Sequence, residues 1–114
     1  MKTTGKYILN AKGEPVPCND LHKWGKWFES ADRRVALTKS KNLEVSTVFL
    51  GIDHRFTGKG KPILWESMVF RKGKGGCEMR RCSGSREQAE AMHAQMEAEF
   101  LPKKYEKTKN ETKT

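Results

Sequence analysis

Cysteine and histidine stand close together in Cys18-x-x-x-His22, and a second cysteine pair follows in Cys77-x-x-x-x-Cys82. Together they could supply the three thiolates and one imidazole of a tetrahedral zinc site. The spacing argues against it. Neither pair has the tight C-x2-C of a zinc ribbon, and the odd interval from Cys77 to Cys82 puts them on opposite faces of a regular strand. Buried or idle thiols are the simpler expectation, and no metal or other cofactor is expected.

Asp53, His54 and Glu66 form an acid and histidine group. A carboxyl buried in an apolar strand would resist ionisation and could serve as general acid or base. Asp53-His54 equally suits a turn start, where the side chain hydrogen-bonds the following backbone. Glu66 can instead pair with Arg80 or Arg81. No G-x-S-x-G, H-E-x-x-H, phosphate-loop or zinc-deaminase signature is present, so the chain is read as a protein that is not an enzyme.

The basic residues say more. Lys39 and Lys41 lie in one expected turn; Arg71, Lys72 and Lys74 lie in another, among glycines 73, 75 and 76. Glycine lets backbone N–H groups approach a phosphate closely, and lysine supplies the charge. In an up-and-down sheet those two turns fall at the same end. The opposite end carries Arg55, Lys59 and Lys61 beside Phe56, a basic and aromatic mixture that suits a phosphate and a base. Arg33, Arg34, Arg80 and Arg81 add two arginine pairs, of which Arg80 and Arg81 should face opposite sides of their strand. The arginine on the open side, with Trp65 as a stacking platform, is a natural place for a phosphate-bearing ligand. Ordinary solvated lysine-glycine turns, and arginine stems lying over apolar surface, are the competing readings.

Composition sets the frame for these groups. The chain has 114 residues, a net charge of +9, 35% hydrophobic and 32% charged residues. That is one domain of modest core. Residues 102–114 contribute five lysines against Glu106 and Glu111, or +3, which leaves +6 for the body. A basic excess favours polyanionic partners. No apolar run approaches the roughly 20 residues of a membrane helix, and no signal-peptide core is evident. With three cysteines rather than a disulfide framework, the expected compartment is the cytoplasm.

The elements that must position these side chains follow from periodicity. Tyr7-Ile-Leu9 reads as a short edge strand and residues 10–17 as loop. Asn19-Asp20 offers an N-cap to a helix whose Leu21, Trp24, Phe28 and Ala31 share a face, with Trp27 beside that stripe and able to face a partner. Arg34-Val-Ala-Leu-Thr38 and Leu43-Glu-Val-Ser-Thr47 read as a hairpin, with the second strand running to Ile52. Ile63 to Phe70 and Cys77 to Cys82 complete a meander. Ser85-Arg-Glu-Gln88 is a capping box for a helix burying Ala89, Met92, Met96 and Phe100, stopped by Pro102. The expected architecture is α+β over residues 1–101: a four-stranded antiparallel meander with an N-terminal and a C-terminal helix packed on one face. Residues 102–114 read as a basic, disordered tail. Val45 and Phe49 oppose Val48, Leu50 and Ile52, while Leu64, Met68 and Phe70 oppose Ile63, Trp65 and Val69. Neither face is polar, so the face left by the helices is expected to meet a second copy or another partner.

The stretches Trp27-Phe-Glu29, Ala31-Asp-Arg-Arg-Val35, Val45-Ser-Thr-Val-Phe-Leu-Gly-Ile-Asp-His54 and Leu64-Trp-Glu-Ser-Met-Val-Phe70 resemble a family of small proteins encoded by tailed bacteriophages. The resemblance covers about Lys6 to Met96. Cys82 stands where that pattern has an aromatic residue, and the lysine-rich loops and tail also depart from it. A viral origin implies a protein that acts in the host cytoplasm by binding, interfering with host machinery or antiviral defence. The ligand expected first is phosphate-bearing: nucleic acid or a signalling nucleotide. An inhibitor docking a host protein through the apolar sheet face and Trp27 is the alternative, and a structural phage component a third.

Overall fold

A computed structural model describes residues 5–55 and 60–101. The α+β class is the observed one, with two helices and antiparallel sheets. In chain order the elements are β1 (Tyr7–Leu9), β2 (Pro15–Pro17), α1 (Leu21–Ser30), β3 (Arg34–Lys39), β4 (Leu43–Phe49), β5 (Ile63–Arg71), β6 (Gly75–Ser83) and α2 (Arg86–Phe100). Strands β3 to β6 form one sheet in sequence order, and β1 and β2 form a separate two-stranded ribbon.

Alternation along the central strands decides which face is covered. Val45, Thr47 and Phe49 of β4 and Trp65, Ser67 and Val69 of β5 are all fully buried. Helix α2 lies across all four strands on that side and adds Ala89, Met92, His93 and Met96. Each large apolar side chain so enclosed stabilises by about 1.5–3 kcal/mol. The helix begins where the sequence says it must: the Ser85 hydroxyl accepts from the Gln88 amide and Gln88 reaches back to the Ser85 amide, satisfying two end groups that would otherwise be orphaned.

The N-terminal third differs from expectation. Residues 10–17 are not all loop, because Pro15–Pro17 pairs antiparallel with Tyr7–Leu9 in the register Ile8 to Val16. Proline is tolerated there since a two-stranded ribbon is all edge. The reversal is built on Asn10, whose side-chain oxygen accepts from the Lys12 and Glu14 amides, and on Gly13 at φ +79°. Strand β4 stops at Phe49, short of Ile52, because Gly51 turns at φ +77°. The backbone then pairs with β1 instead, through the Tyr7 amide to the Gly51 carbonyl and a bridge from Lys6 to Ile52.

Helix α1 also sits differently from α2. It is capped by Asp20, whose side chain accepts from the Lys23 amide, and it packs chiefly on β1. The Trp24 indole N–H donates to the Tyr7 and Gly51 carbonyls, and Phe28 presses on Gly51. Only Trp27 reaches the core of the main sheet, edge-on to Phe49 at 5.9 Å. The meander is therefore spanned by one helix, while the other braces the ribbon at its end.

Within the covered face the apolar contacts divide into two clusters, one around Phe49, Trp65 and Met92 and one around Val45, Val69 and Met96. A polar chain runs through the same buried layer. The Thr38 hydroxyl donates to the Glu97 carboxylate, so its oxygen is left to accept from His93 Nε2 at 2.9 Å. His93 Nδ1 then accepts from Thr47 at 2.7 Å, and Thr47 Oγ1 takes the Ser67 hydroxyl. This ordering uses every hydroxyl hydrogen with the ring in its Nε2–H form, and among the described residues no buried side-chain polar atom lacks a partner.

Candidate phosphate-binding site

The two basic turns are the hairpin connections at one end of the meander. In the first, Lys39 pairs with Glu44, and Ser40 closes the reversal with its amide and hydroxyl on the Leu43 carbonyl. In the second, the Lys74 amide returns to the Arg71 carbonyl, and Gly73 and Gly75 take φ of +80° and +71°. Glycine is the residue that adopts those angles without strain. The turns are joined directly: the Lys72 amide donates to the Asn42 carbonyl at 2.9 Å. Between them lies a shallow cleft of ≈ 230 Å³, bordered by Lys39, Lys41, Arg71 and Lys72. Lys74 stands in the same turn as Lys72, and all five cations are exposed.

Their charge is not spent locally. Among the described residues, ion pairs form at Arg55–Asp53, Arg80–Glu99, Arg81–Glu66 and Arg86–Glu90, and none includes the five. Glu44, across from Lys39 in register, is the single carboxylate bordering the cleft. Phe70 also borders it, half-buried on the sheet face opposite α2, between Glu44 on one side and Gly76 on the other.

Other expected site residues lie elsewhere. Trp65 is not a platform on the open face. Its position alternates with Ser67 and Val69 toward α2, where it is fully buried, with its indole N–H on the Gly84 carbonyl at 2.9 Å. Trp27 does not stand clear for a partner, since its ring is packed against the core. Arg80 and Arg81 do point to opposite sides, but neither reaches the cleft. Arg80 makes two hydrogen bonds to Glu99 of α2, at 2.8 and 2.9 Å. That contact holds the Glu99 carboxyl below its usual range and raises the guanidinium in turn. Arg81 pairs with Glu66 at 2.9 Å on the open face. Phe56 and Lys59 lie outside the described residues.

The acid and histidine group is structural in its contacts. Burial alone would raise the Asp53 carboxyl, but hydrogen bonds from the Arg55 and Ile63 amides and the Arg55 guanidinium outweigh it and hold the group below its ordinary value. His54 Nδ1 lies 2.7 Å from the Ile52 carbonyl. Of the thiols, Cys18 is buried and reaches the Asp20 carbonyl, and Cys82 packs half-buried against the core, where burial pushes its thiol up. His22 is exposed on α1. Among the described residues no three His, Cys, Asp or Glu side chains converge in a metal-binding group.

Phe70 and Glu44 were the neighbours that sequence reasoning passed over. Their signal was available, because both alternate with residues that face α2, and Phe70 directly precedes Arg71. No protein-family model matches the chain, and comparison with curated proteins and with solved structures returns no significant match. No helix among the described residues is long and apolar enough to cross a membrane.

Proposed function

We propose that this protein acts by binding a phosphate-bearing ligand at the turn end of its sheet, without catalysing a reaction. The observation that carries the reading is five exposed cations on two hydrogen-bonded turns, opposed at the cleft by Glu44 alone and free of ion pairs among the described residues. Arg80 and Arg81, by contrast, are each paired with a carboxylate. In a phage-encoded protein such binding would serve to coat or sequester nucleic acid, or a signalling nucleotide, in the host cytoplasm.

Fluorescence anisotropy with labelled DNA, labelled RNA and a cyclic dinucleotide, each across a salt series, tests it. Binding that weakens with salt, with a log–log slope of about −2 to −3.5 for a single strand engaging most of these cations, is expected. Absence of salt-sensitive binding to all three ligands would defeat the proposal.

A second reading rests on the open face. Leu37 and Met79 are 37% and 49% exposed, with Met68 between them in register. A second copy of the chain or a host protein would cover that row. Sedimentation at rising concentration separates a self-associating protein from a monomer that requires a different partner.

A further inference from the structure

We infer that the ligand is a single-stranded nucleic acid, with one base stacked on Phe70 and the flanking phosphates held by the turn cations. The inference rests on the phosphate-binding reading above and narrows it. Phe70 borders the same cleft as Lys39, Lys41, Arg71 and Lys72, so an aromatic face and unpaired positive charge meet within one base-sized depression. That combination is how proteins hold single strands, because every base has a flat face and every phosphate a charge.

The surroundings of the ring favour a base over a bare phosphate. Its cross-strand neighbour on β6 is Gly76, and the space over that glycine is taken by the apolar tip of Met68. A Cβ at that position would stand 3.7 Å from Phe70 Cε1 and 2.6 Å from Met68 Cε. On the other strand the neighbour is Glu44, which repels phosphate from the ring and can accept from the exocyclic amino group of a base. Phosphates are thereby directed outward to the turns and the base inward to the face. Beyond Phe70 the exposed Leu37 and Met79, with buried Ser46 and half-buried Met68 between them in register, extend the open face for a following nucleotide. A duplex fits less well. Its bases stay stacked in pairs and cannot lie flat on Phe70.

The test compares a labelled single strand of about 12 nucleotides with the matching duplex, using the full-length protein and Phe70→Leu. The single strand should bind about tenfold tighter than the duplex. Phe70→Leu should lower single-strand affinity about tenfold with the salt slope unchanged, and leave duplex binding where it was. Phe70→Tyr, which keeps the stacking surface, should bind as the parent does, and thermal melts of both variants confirm folding. Equal binding of both forms with a silent Phe70→Leu overturns the inference and leaves the phosphate reading standing. No salt-sensitive binding of either form overturns both. A Phe70→Leu variant that loses self-association while keeping its affinity assigns the face to a second copy, and so overturns the inference as well.

Discussion

The backbone amide of Lys72 donates to the carbonyl of Asn42 across 2.9 Å, joining two turns that are thirty residues apart in the chain. Neither residue's side chain is needed for the bond. It aligns the turns as a rigid pair, so that Lys39 and Lys41 are presented beside Arg71 and Lys72 rather than on separately moving loops. Fixing the turn backbone in advance lowers the cost of binding a phosphate, leaving only the exposed side chains to be ordered on contact.

Location of the charge, rather than its total, should govern binding. Lys72→Ala and Lys41→Ala are each expected to reduce the salt slope for a single strand by about 0.7 and to weaken binding. Arg80→Ala removes the same formal charge from a residue already paired with Glu99 and is expected to change the slope much less. Equal effects from all three would mean that only net charge matters.

Removing the carboxylate at the cleft should act in the opposite direction. Glu44→Gln takes away the one negative group bordering it and is expected to tighten binding of inorganic polyphosphate, which has no base to recognise. Titration of polyphosphate against parent and variant reads this directly, and weaker binding by the variant would contradict the assignment.

The buried histidine should dominate core stability. His93→Ala opens a cavity and strips Thr38 and Thr47 of a partner, at an expected cost of about 2–4 kcal/mol in urea denaturation. Glu90→Ala, on the exposed side of the same helix, should stay within about 0.5 kcal/mol of the parent. Comparable losses from the two would show that the polar chain contributes nothing.

Asp53 should make stability fall in acid. Its carboxyl sits below the ordinary value in the folded state, so the stabilisation it contributes is present above the unfolded-state pKa. It is lost as pH drops through the folded one. Asp53→Asn should lower stability at neutral pH by about 1–3 kcal/mol, and the gap between parent and variant should close in acid. A gap that is constant with pH would contradict this.

Much of the fold was legible because its signals are local. Alternation of Val45, Thr47 and Phe49 against Ser46 and Val48, the Ser85 capping box and the Asp20 cap each specify an element within a few residues. The ribbon of Tyr7–Leu9 with Pro15–Pro17 was missed because prolines usually mark loop, and only the reversal at Asn10 and Gly13 makes the pairing favourable. His93 was left out of the helix's buried face because polarity argued against burial. Its partners Thr38 and Thr47 come from two strands, and Thr38 in turn donates to Glu97, so no short window of sequence shows the chain of bonds together. At the site, the shared end of the two turns follows from meander topology alone. The choice of Trp65 over Phe70 as the platform failed for a different reason. Sidedness depends on which face the helix takes, and both faces of β5 are apolar.

Backbone amide chemical shifts, followed by NMR while an unlabelled single-stranded oligonucleotide is added, test the central claim most directly. The account predicts shifts concentrated at Lys41, Asn42, Phe70, Lys72 and Gly73, fading with added salt, while Gly51 on the α1 side and Arg80 beside Glu99 stay still. Shifts confined to α2 or to the β1–β2 ribbon, or none at all, would contradict it.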